Sequence, residues 1–206
     1  MTKILEDSPF HFGDGDGDIK VAATHSGKRV VFNVSSNALV LASPVWKKFI
    51  YPPFAKLRNE NGEGETEEDE ARLDFTEDDS DALVILLSIA HLRFDKVPQN
   101  LKYKVLLQVA VLCDLYDCVK LVRPWLAGWM EDDKAEAKKV GQENWLFIAW
   151  VFGRVEVFES LSLKLAYEMR IDSATGSCLN AVGSLIVEPL PPDIMGNIPA
   201  QEALLY

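Results

Sequence analysis

The sequence predicts an α+β fold in which a cluster of helices packs against a small mixed sheet. Two short alternating segments come first, at residues 18–24 and 28–35, and the HSGK stretch between them supplies a glycine for a hairpin turn. A third strand is expected at residues 71–75, and helical patterns dominate the rest of the chain. This order of elements is typical of helices that cover a small sheet.

Two short helices are expected directly after the hairpin. Ser36 or Asn37 is the predicted cap of the first helix, and Ser43 followed by Pro44 begins the second. The second helix has an apolar side that consists of Val45, Trp46, Phe49 and Ile50.

The middle of the chain is predicted to be helical as well. Residues 81–92 are apolar nearly all round, as expected of a helix buried in a domain, and Thr76 or Ser80 is the predicted cap. Residues 101–118 repeat apolar side chains at three- and four-residue spacing, which indicates an amphipathic helix. A further helix is expected at residues 121–130.

The last third of the chain begins with a charged stretch and continues with two expected helices, at residues 145–152 and 155–170. Prolines and glycines are frequent from residue 172 onward, so the tail at residues 172–206 is predicted to be irregular.

The negative charge of the chain is concentrated in one segment. The whole chain carries a formal charge of −11, with 32 acidic and 21 basic residues. Between Glu60 and Asp81 there are twelve acidic residues and one base, so the remainder of the chain is neutral. The most acidic part, at about residues 59–70, lacks aliphatic and aromatic side chains and is predicted to be a disordered loop. Nucleic acid is disfavoured as a partner, because the sequence has no basic stripe.

Composition restricts the class of protein further. A chain of 206 residues, 48% of them apolar, is long enough to bury a sizeable core. No apolar run reaches 18 residues, and the N-terminus lacks the pattern of a signal peptide, so no membrane partner is expected. Three cysteines do not form a disulfide framework, which favours an intracellular location, nuclear or cytoplasmic.

The spacing of the candidate ligand residues does not match known metal-binding motifs, and no catalytic motif is found. The acidic run from Asp14 to Asp18 lacks the glycine and glutamate that a calcium loop requires at its sixth and twelfth positions. Cys113 and Cys118, five residues apart, are expected on different faces of a helix, which disfavours zinc. His91 is interpreted as a hydrogen-bonded core residue. No nucleophile or cofactor motif is present, so the sequence predicts no enzyme and no cofactor.

An ordered set of residues points to a family. It comprises Asp18 at the first strand, Phe32 through Leu39, then Ser43, Trp46 and Phe49, and finally Ala110, Cys113, Asp114 and Tyr116. In this order the chain resembles the BTB/POZ domain in its fungal form. The resemblance covers residues 16–130, and residues 143–171 look like the helical extension that often follows such a domain.

This resemblance implies a non-catalytic protein–protein interaction module that forms homo- or hetero-oligomers through its first helices and strand edges. The expected partner is a second copy, as a homodimer, or another BTB-type protein. The residues expected at the interface are Asp18, Ile19, Ser36, Leu39, Val45 and Trp46. Trp46 remains open between two roles, because a partner-facing side chain and a core side chain both fit the pattern.

The alternative is a substrate adaptor of a cullin-type ubiquitin ligase, since some members of that family bind the cullin scaffold. Two departures from the family pattern bear on these expectations. Ser36 stands where transcription-factor-type dimers carry a base that pairs with the strand-opening acid. No glutamate follows two residues after Phe54, where cullin-binding members have one, so interaction alone is preferred.

Overall fold

The computed structural model describes residues 9, 10, 12, 17–52 and 71–194. These residues belong to two compact units, which divide the chain at Trp125 and Leu126. The first unit is α+β, with a three-stranded sheet, and the second is mainly helical with a two-stranded ribbon. The predicted α+β class is therefore confirmed. Over the described residues, no helix combines the length and the apolar character that crossing a bilayer requires.

The first unit begins with the predicted hairpin. Strand β1 covers Ile19–His25 and strand β2 covers Lys28–Val34, and they pair antiparallel. Ser26 and Gly27 form the turn, with φ angles of 50° and 74°. Two consecutive positive φ angles define the turn type that matches the twist of a tight hairpin. The glycine in the HSGK stretch is thus required by the turn.

The sheet is mixed, as predicted. Strand β3, Leu73–Phe75, lies on the other side of β1 and runs parallel to it, so the order is β2-β1-β3. Val21 lies opposite Phe32 on β2 and Leu73 on β3. The alternating apolar residues of the two hairpin strands therefore share one face, which their period of two predicts.

Helices α1, Ser36–Ala42, and α2, Pro44–Ile50, follow the hairpin. The cap of α1 is Ser35, whose hydroxyl accepts the Ala38 N–H, and the prediction of Ser36 or Asn37 is wrong. The reason is competition for the hydroxyl, because the Ser36 side chain is bonded elsewhere, to Asp18. The predicted start of α2 at Ser43 and Pro44 is confirmed.

Helix α3 covers Ser80–Ala90, close to the predicted range. Its cap is Asp79, whose carboxylate accepts the Ala82 N–H at 3.0 Å, so the prediction of Thr76 or Ser80 is wrong. The Thr76 hydroxyl instead donates to Asp74 at 2.6 Å and holds the turn before the helix. Most of α3 is buried, which agrees with its apolar composition.

Helix α4 covers Tyr103–Leu115, and a 3₁₀ turn at Phe94–Lys96 precedes it. Helix α5, Val119–Val122, ends the first unit. A continuous helix over residues 121–130 was expected, and this prediction is wrong. The helical hydrogen bonding is interrupted after Val122, because Pro124 has no N–H to donate; Arg123 before it keeps helical backbone angles.

The second unit is a set of short and medium helices followed by a β-ribbon. They are α6 Leu126–Trp129, α7 Asp133–Glu136, α8 Trp145–Val151, α9 Val155–Glu168, β4 Arg170–Ile171 and β5 Cys178–Leu179. The two helices predicted near α8 and α9 are confirmed within two residues. Strand β4 precedes the tail that was predicted to be irregular, and strand β5, which pairs with it, adds regular structure inside that tail.

An ion pair between a buried carboxylate and a half-exposed guanidinium links α7 to the residue before α9. Asp133 is 3% exposed, and its Oδ2 accepts from Arg154 Nε and Nη2, each at 2.7 Å. Because a buried carboxylate is costly without a partner, this pair constrains how the two helices pack. The neighbouring pair, Lys134 with Glu156, lies on the solvent side, where water screens it.

We predict that Arg154→Met lowers the free energy of unfolding of the full chain by about 3 kcal/mol, because it leaves the Asp133 carboxylate buried and unpaired. Urea denaturation measures the change. Lys134→Met is the matched control, since it also removes one cation of an ion pair, and it should leave the urea midpoint nearly unchanged. Equal effects of the two substitutions would contradict this role of Asp133.

Candidate interaction surface

The structure brings together two of the predicted interface residues, Asp18 and Ser36. Asp18 precedes β1, and its two carboxylate oxygens accept the Ser36 N–H at 2.6 Å and the Ser36 hydroxyl at 2.5 Å. Gly17 permits this contact, because a Cβ there would lie 2.5 Å from the Val34 nitrogen. The bonds from Ser36 lower the pKa of Asp18 below its usual value. The Asp18 carboxylate is thus hydrogen-bonded within its own chain, by Ser36.

Three other predicted interface residues point into the core of the first unit. Ile19, Leu39 and Trp46 are all buried, and Leu39 and Trp46 have no exposed surface. The structure therefore assigns Trp46 to the core within a single copy of the chain. Val45 alone among the predicted apolar residues of the interface remains half-buried at the surface.

The exposed apolar residues of this region lie beside the predicted ones. Leu41 on α1 is 88% exposed, and Phe49 on α2 is 51% exposed. Val45 precedes Phe49 by four residues and so shares its side of α2. We call Leu41, Val45 and Phe49 the α1–α2 apolar face. The apolar side predicted for α2 is in fact divided, because Trp46 and Ile50 face inward and Val45 and Phe49 face outward.

Trp46 anchors α2 by aromatic packing. Its ring lies 6.0 Å from the ring of Phe75 on β3 and 5.3 Å from that of Tyr116, the residue after α4. Phe75 and Tyr116 also meet edge to face. The indole Nε1 is buried and has no hydrogen-bond partner among the described residues. Apolar contact, rather than hydrogen bonding of the indole, therefore holds this side chain.

A chain of hydrogen bonds surrounds the same aromatic residues. The Ser43 hydroxyl accepts the backbone N–H groups of Val45 and Trp46 and donates to the Tyr116 carbonyl at 2.6 Å. The Tyr116 phenol donates to Asp78 Oδ2 at 2.6 Å. Ser43 is thus a structural cap, as its position before a proline predicts, and every hydrogen-bonding group of its side chain is used.

Burial shifts the acidity of two members of this chain. Desolvation raises the pKa of Asp78 above its usual value, although the bond from Tyr116 lowers it in part. Burial, together with the bond to Asp78, raises the pKa of Tyr116 well above the usual range. Tyr116 therefore stays protonated and donates, which makes it a structural donor rather than a base.

Cys113 and Cys118 lie together, so the prediction that they occupy different faces of a helix is wrong. Helix α4 ends at Leu115, and Asp117 takes a positive φ of 49°. The turn returns the chain, and the Cys118 N–H donates to the Cys113 carbonyl at 3.0 Å. A hydrogen bond between the two buried thiols, followed by burial, raises the pKa of Cys113 well above its usual value. Such thiols are unreactive structural groups.

Two phenylalanines before the first strand cover the hairpin, a role that the sequence did not reveal. The Phe10 ring stacks on that of Phe32 at 4.6 Å, and the Phe12 ring stacks on that of His91 at 5.1 Å. Phe10 also meets His25 edge to face. Phe10 and Phe12 belong to no periodic pattern in the sequence, so only the tertiary contacts show that this segment covers the hairpin.

The part of the chain that the structure describes holds no group of three or more His, Cys, Asp or Glu side chains placed to bind a metal ion. Several predictions fall outside the described residues: those on Asp14, on the acidic loop at residues 59–70, on Phe54, after which the cullin-binding glutamate is missing, and on the end of the tail at residues 195–206. Comparisons of the chain with protein-family models, with curated proteins and with solved structures found no match.

We predict that Trp46→Glu abolishes cooperative unfolding of the first unit, because a charge would replace the aromatic contacts with Phe75 and Tyr116. Trp46→Ala should lower the free energy of unfolding by about 3–5 kcal/mol, and Trp46→Phe by clearly less. Circular dichroism during urea denaturation measures all three variants. A folded Trp46→Glu protein that has merely lost a binding partner would contradict the core assignment.

We predict that Tyr116→Phe raises the pKa of Asp78 further, because the carboxylate loses the donor that favours its charged form. The substitution should lower the free energy of unfolding by about 1.5–3 kcal/mol at a pH above the pKa of Asp78, where the carboxylate is charged. The loss should shrink as the pH falls below the pKa of Asp78, because the neutral acid accepts more weakly. NMR titration of the Asp78 carboxyl carbon and urea denaturation at pH 7 and pH 4 provide the measurements.

The control for this prediction is the same substitution in the Asp78→Asn background. There the loss of stability on replacing Tyr116 should be smaller and independent of pH in this range. An unchanged pKa of Asp78 in the Tyr116→Phe protein would show that the phenol does not govern this carboxylate.

Proposed function

We propose that this chain is a non-catalytic protein–protein interaction module of the BTB/POZ type, which associates with a second copy through the α1–α2 apolar face. The order of the elements in the first unit supports the proposed type. Hairpin β1–β2, helices α1 and α2, parallel strand β3 and helices α3 to α5 follow the order that the family resemblance implies.

The proposal rests on the exposure of Leu41 and Phe49. These residues lie on helices whose opposite sides are packed in the core. Leu39 on α1 and Trp46 on α2 are fully buried, so the two helices do not need to turn in order to present the exposed pair. Burial of a leucine or phenylalanine side chain at a contact contributes about 1.5–3 kcal/mol. A rigid face also loses little conformational entropy on association.

The absence of charge on α1 favours a second copy of the chain as the partner. No residue of Ser36–Ala42 carries a charge. When two copies meet about a twofold axis, each side chain near the axis faces its own equivalent, so charged residues there would repel. An uncharged helix with an exposed leucine avoids this repulsion, and the twofold axis would therefore pass beside α1 rather than beside α2, which carries Lys47 and Lys48. Asp18, at the entry to this helix, is held by Ser36 within its own chain.

The same residues support a non-catalytic role. Ser43, Tyr116 and Asp78, which lie around the buried side of α2, are each used in the hydrogen-bond chain of the core. A general base needs a lone pair that is free to accept a proton from a substrate. The hydroxyl groups of Ser43 and Tyr116 and the Asp78 carboxylate are already hydrogen-bonded within the core, so they are not offered to a substrate.

We predict that Leu41→Glu and Phe49→Glu each convert an associating chain to a monomer and leave the urea midpoint close to that of the parent protein. Two glutamates would face each other across the twofold axis, with no charge on α1 to compensate them. Sedimentation velocity of the full chain over a range of concentrations measures the association.

Leu163→Glu is the matched control, because Leu163 is a leucine of α9 in the second unit with 60% exposure. This substitution should leave the sedimentation behaviour unchanged. A parent chain that stays monomeric at every concentration, or a Leu41→Glu chain that associates as the parent does, would rule out the proposed face.

A further inference from the structure

His91 joins the end of one helix to the start of another. It follows α3, and its Nδ1–H donates to the Leu87 carbonyl at 2.8 Å. Its Nε2 accepts the backbone N–H of Ser35, the cap of α1, at 3.0 Å. A backbone N–H only donates, so Nε2 must carry a lone pair and the ring must be neutral. The hydrogen bond from Ser35 to His91 therefore exists only while the imidazole is neutral.

A protonated ring loses this contact. The second proton would sit on Nε2 and point at the Ser35 N–H, so that two donors would face each other without an acceptor. The positive charge would also lie at the N-terminus of α1, where the helix dipole repels a cation. The imidazolium must therefore leave its position or Ser35 must move.

The surroundings of the ring give the charge little compensation. From the N-terminal segment Phe12 stacks on the ring, and from α3 the Leu87 carbonyl accepts its proton. The charged groups of the adjoining segments are engaged elsewhere, because Asp18 binds Ser36 and Arg93 pairs with Asp95. Burial lowers the pKa of His91 below its usual value, and the bond to Leu87 opposes this in part. His25, the other histidine near the aromatic cluster, contacts Phe10.

We propose that His91 is an acid-sensitive latch, which holds the N-terminus of α1 while its ring is neutral and releases it when the ring takes up a proton. The released form exposes the Ser35 N–H and frees the first turn of α1. Release of α1 should in turn weaken association in acid, because α1 carries Leu41. This second consequence rests on the proposed function.

The direction of the pH dependence follows from the lowered pKa. The opened form binds a proton near the ordinary histidine value of about 6.5, whereas the latched form resists protonation. The latch is at full strength above that pH and is lost as the pH falls through the pKa of the latched form. Between these two values, opening becomes about tenfold more favourable for each pH unit.

Hydrogen exchange on the full-length chain between pH 7.5 and pH 5 tests the latch. After correction for intrinsic exchange, the protection of the Ser35 and Ala38 amides should fall about tenfold per pH unit below about 6.5. His91→Gln keeps a neutral acceptor at every pH, so its protection should stay flat. His25→Gln, the matched control, should behave as the parent chain does.

NMR titration of the His91 ring in the parent chain keeps the test independent of how the variants fold. A ring that titrates at or above its ordinary value overturns the latch, and so does protection that is flat in the parent or equally pH-dependent in His91→Gln. Sedimentation at the same pH values separates the two proposals. If the amides are released in acid and association persists, the latch stands and the α1–α2 apolar face is wrong.

Discussion

The packing of Trp46 against Phe75 and Tyr116 is the interaction on which the first unit depends. These three rings come from α2, from β3 and from the end of α4, so their burial fixes the sheet and two helices together. An unpaired buried N–H costs about 1–3 kcal/mol, yet the indole retains this position. The apolar contact therefore outweighs the lost hydrogen bond, while Ser43 accepts the backbone N–H of Trp46 and donates to the Tyr116 carbonyl.

The orientation of Trp46 also determines what the surface presents. Successive residues of a helix point about 100° apart, so an inward Trp46 and Ile50 leave Val45 and Phe49 outside. The same geometry on α1 turns Leu39 inward and Leu41 outward. His91 acts at the other end of α1, where it satisfies the backbone of the cap residue. The core and the latch thus hold opposite ends of the α1–α2 pair.

Much of the fold was predictable because its signals are local. Alternation predicted the two strands of the hairpin, and the glycine of the HSGK stretch predicted the turn between them; the register, with Val21 opposite Phe32, came from the structure. Helices α3, α4, α8 and α9 were recognisable from runs or periods of apolar residues. The caps were predicted less well, because Ser36 has a partner distant in sequence, Asp18, that takes its hydroxyl. Local propensity does not include such competition.

The amino-acid sequence by itself determined the order of strands and helices, the apolar character of α2 and the neutral charge outside one acidic segment. Periodicity and composition suffice for these properties, since each depends on neighbours in the chain. Only the tertiary structure decided that Trp46 belongs to the core, that Leu41 and Phe49 are exposed, and that Cys113 meets Cys118. A helix with apolar residues on most of its circumference does not specify which of them it buries. That choice depends on the surfaces packed against it, here β3 and the end of α4.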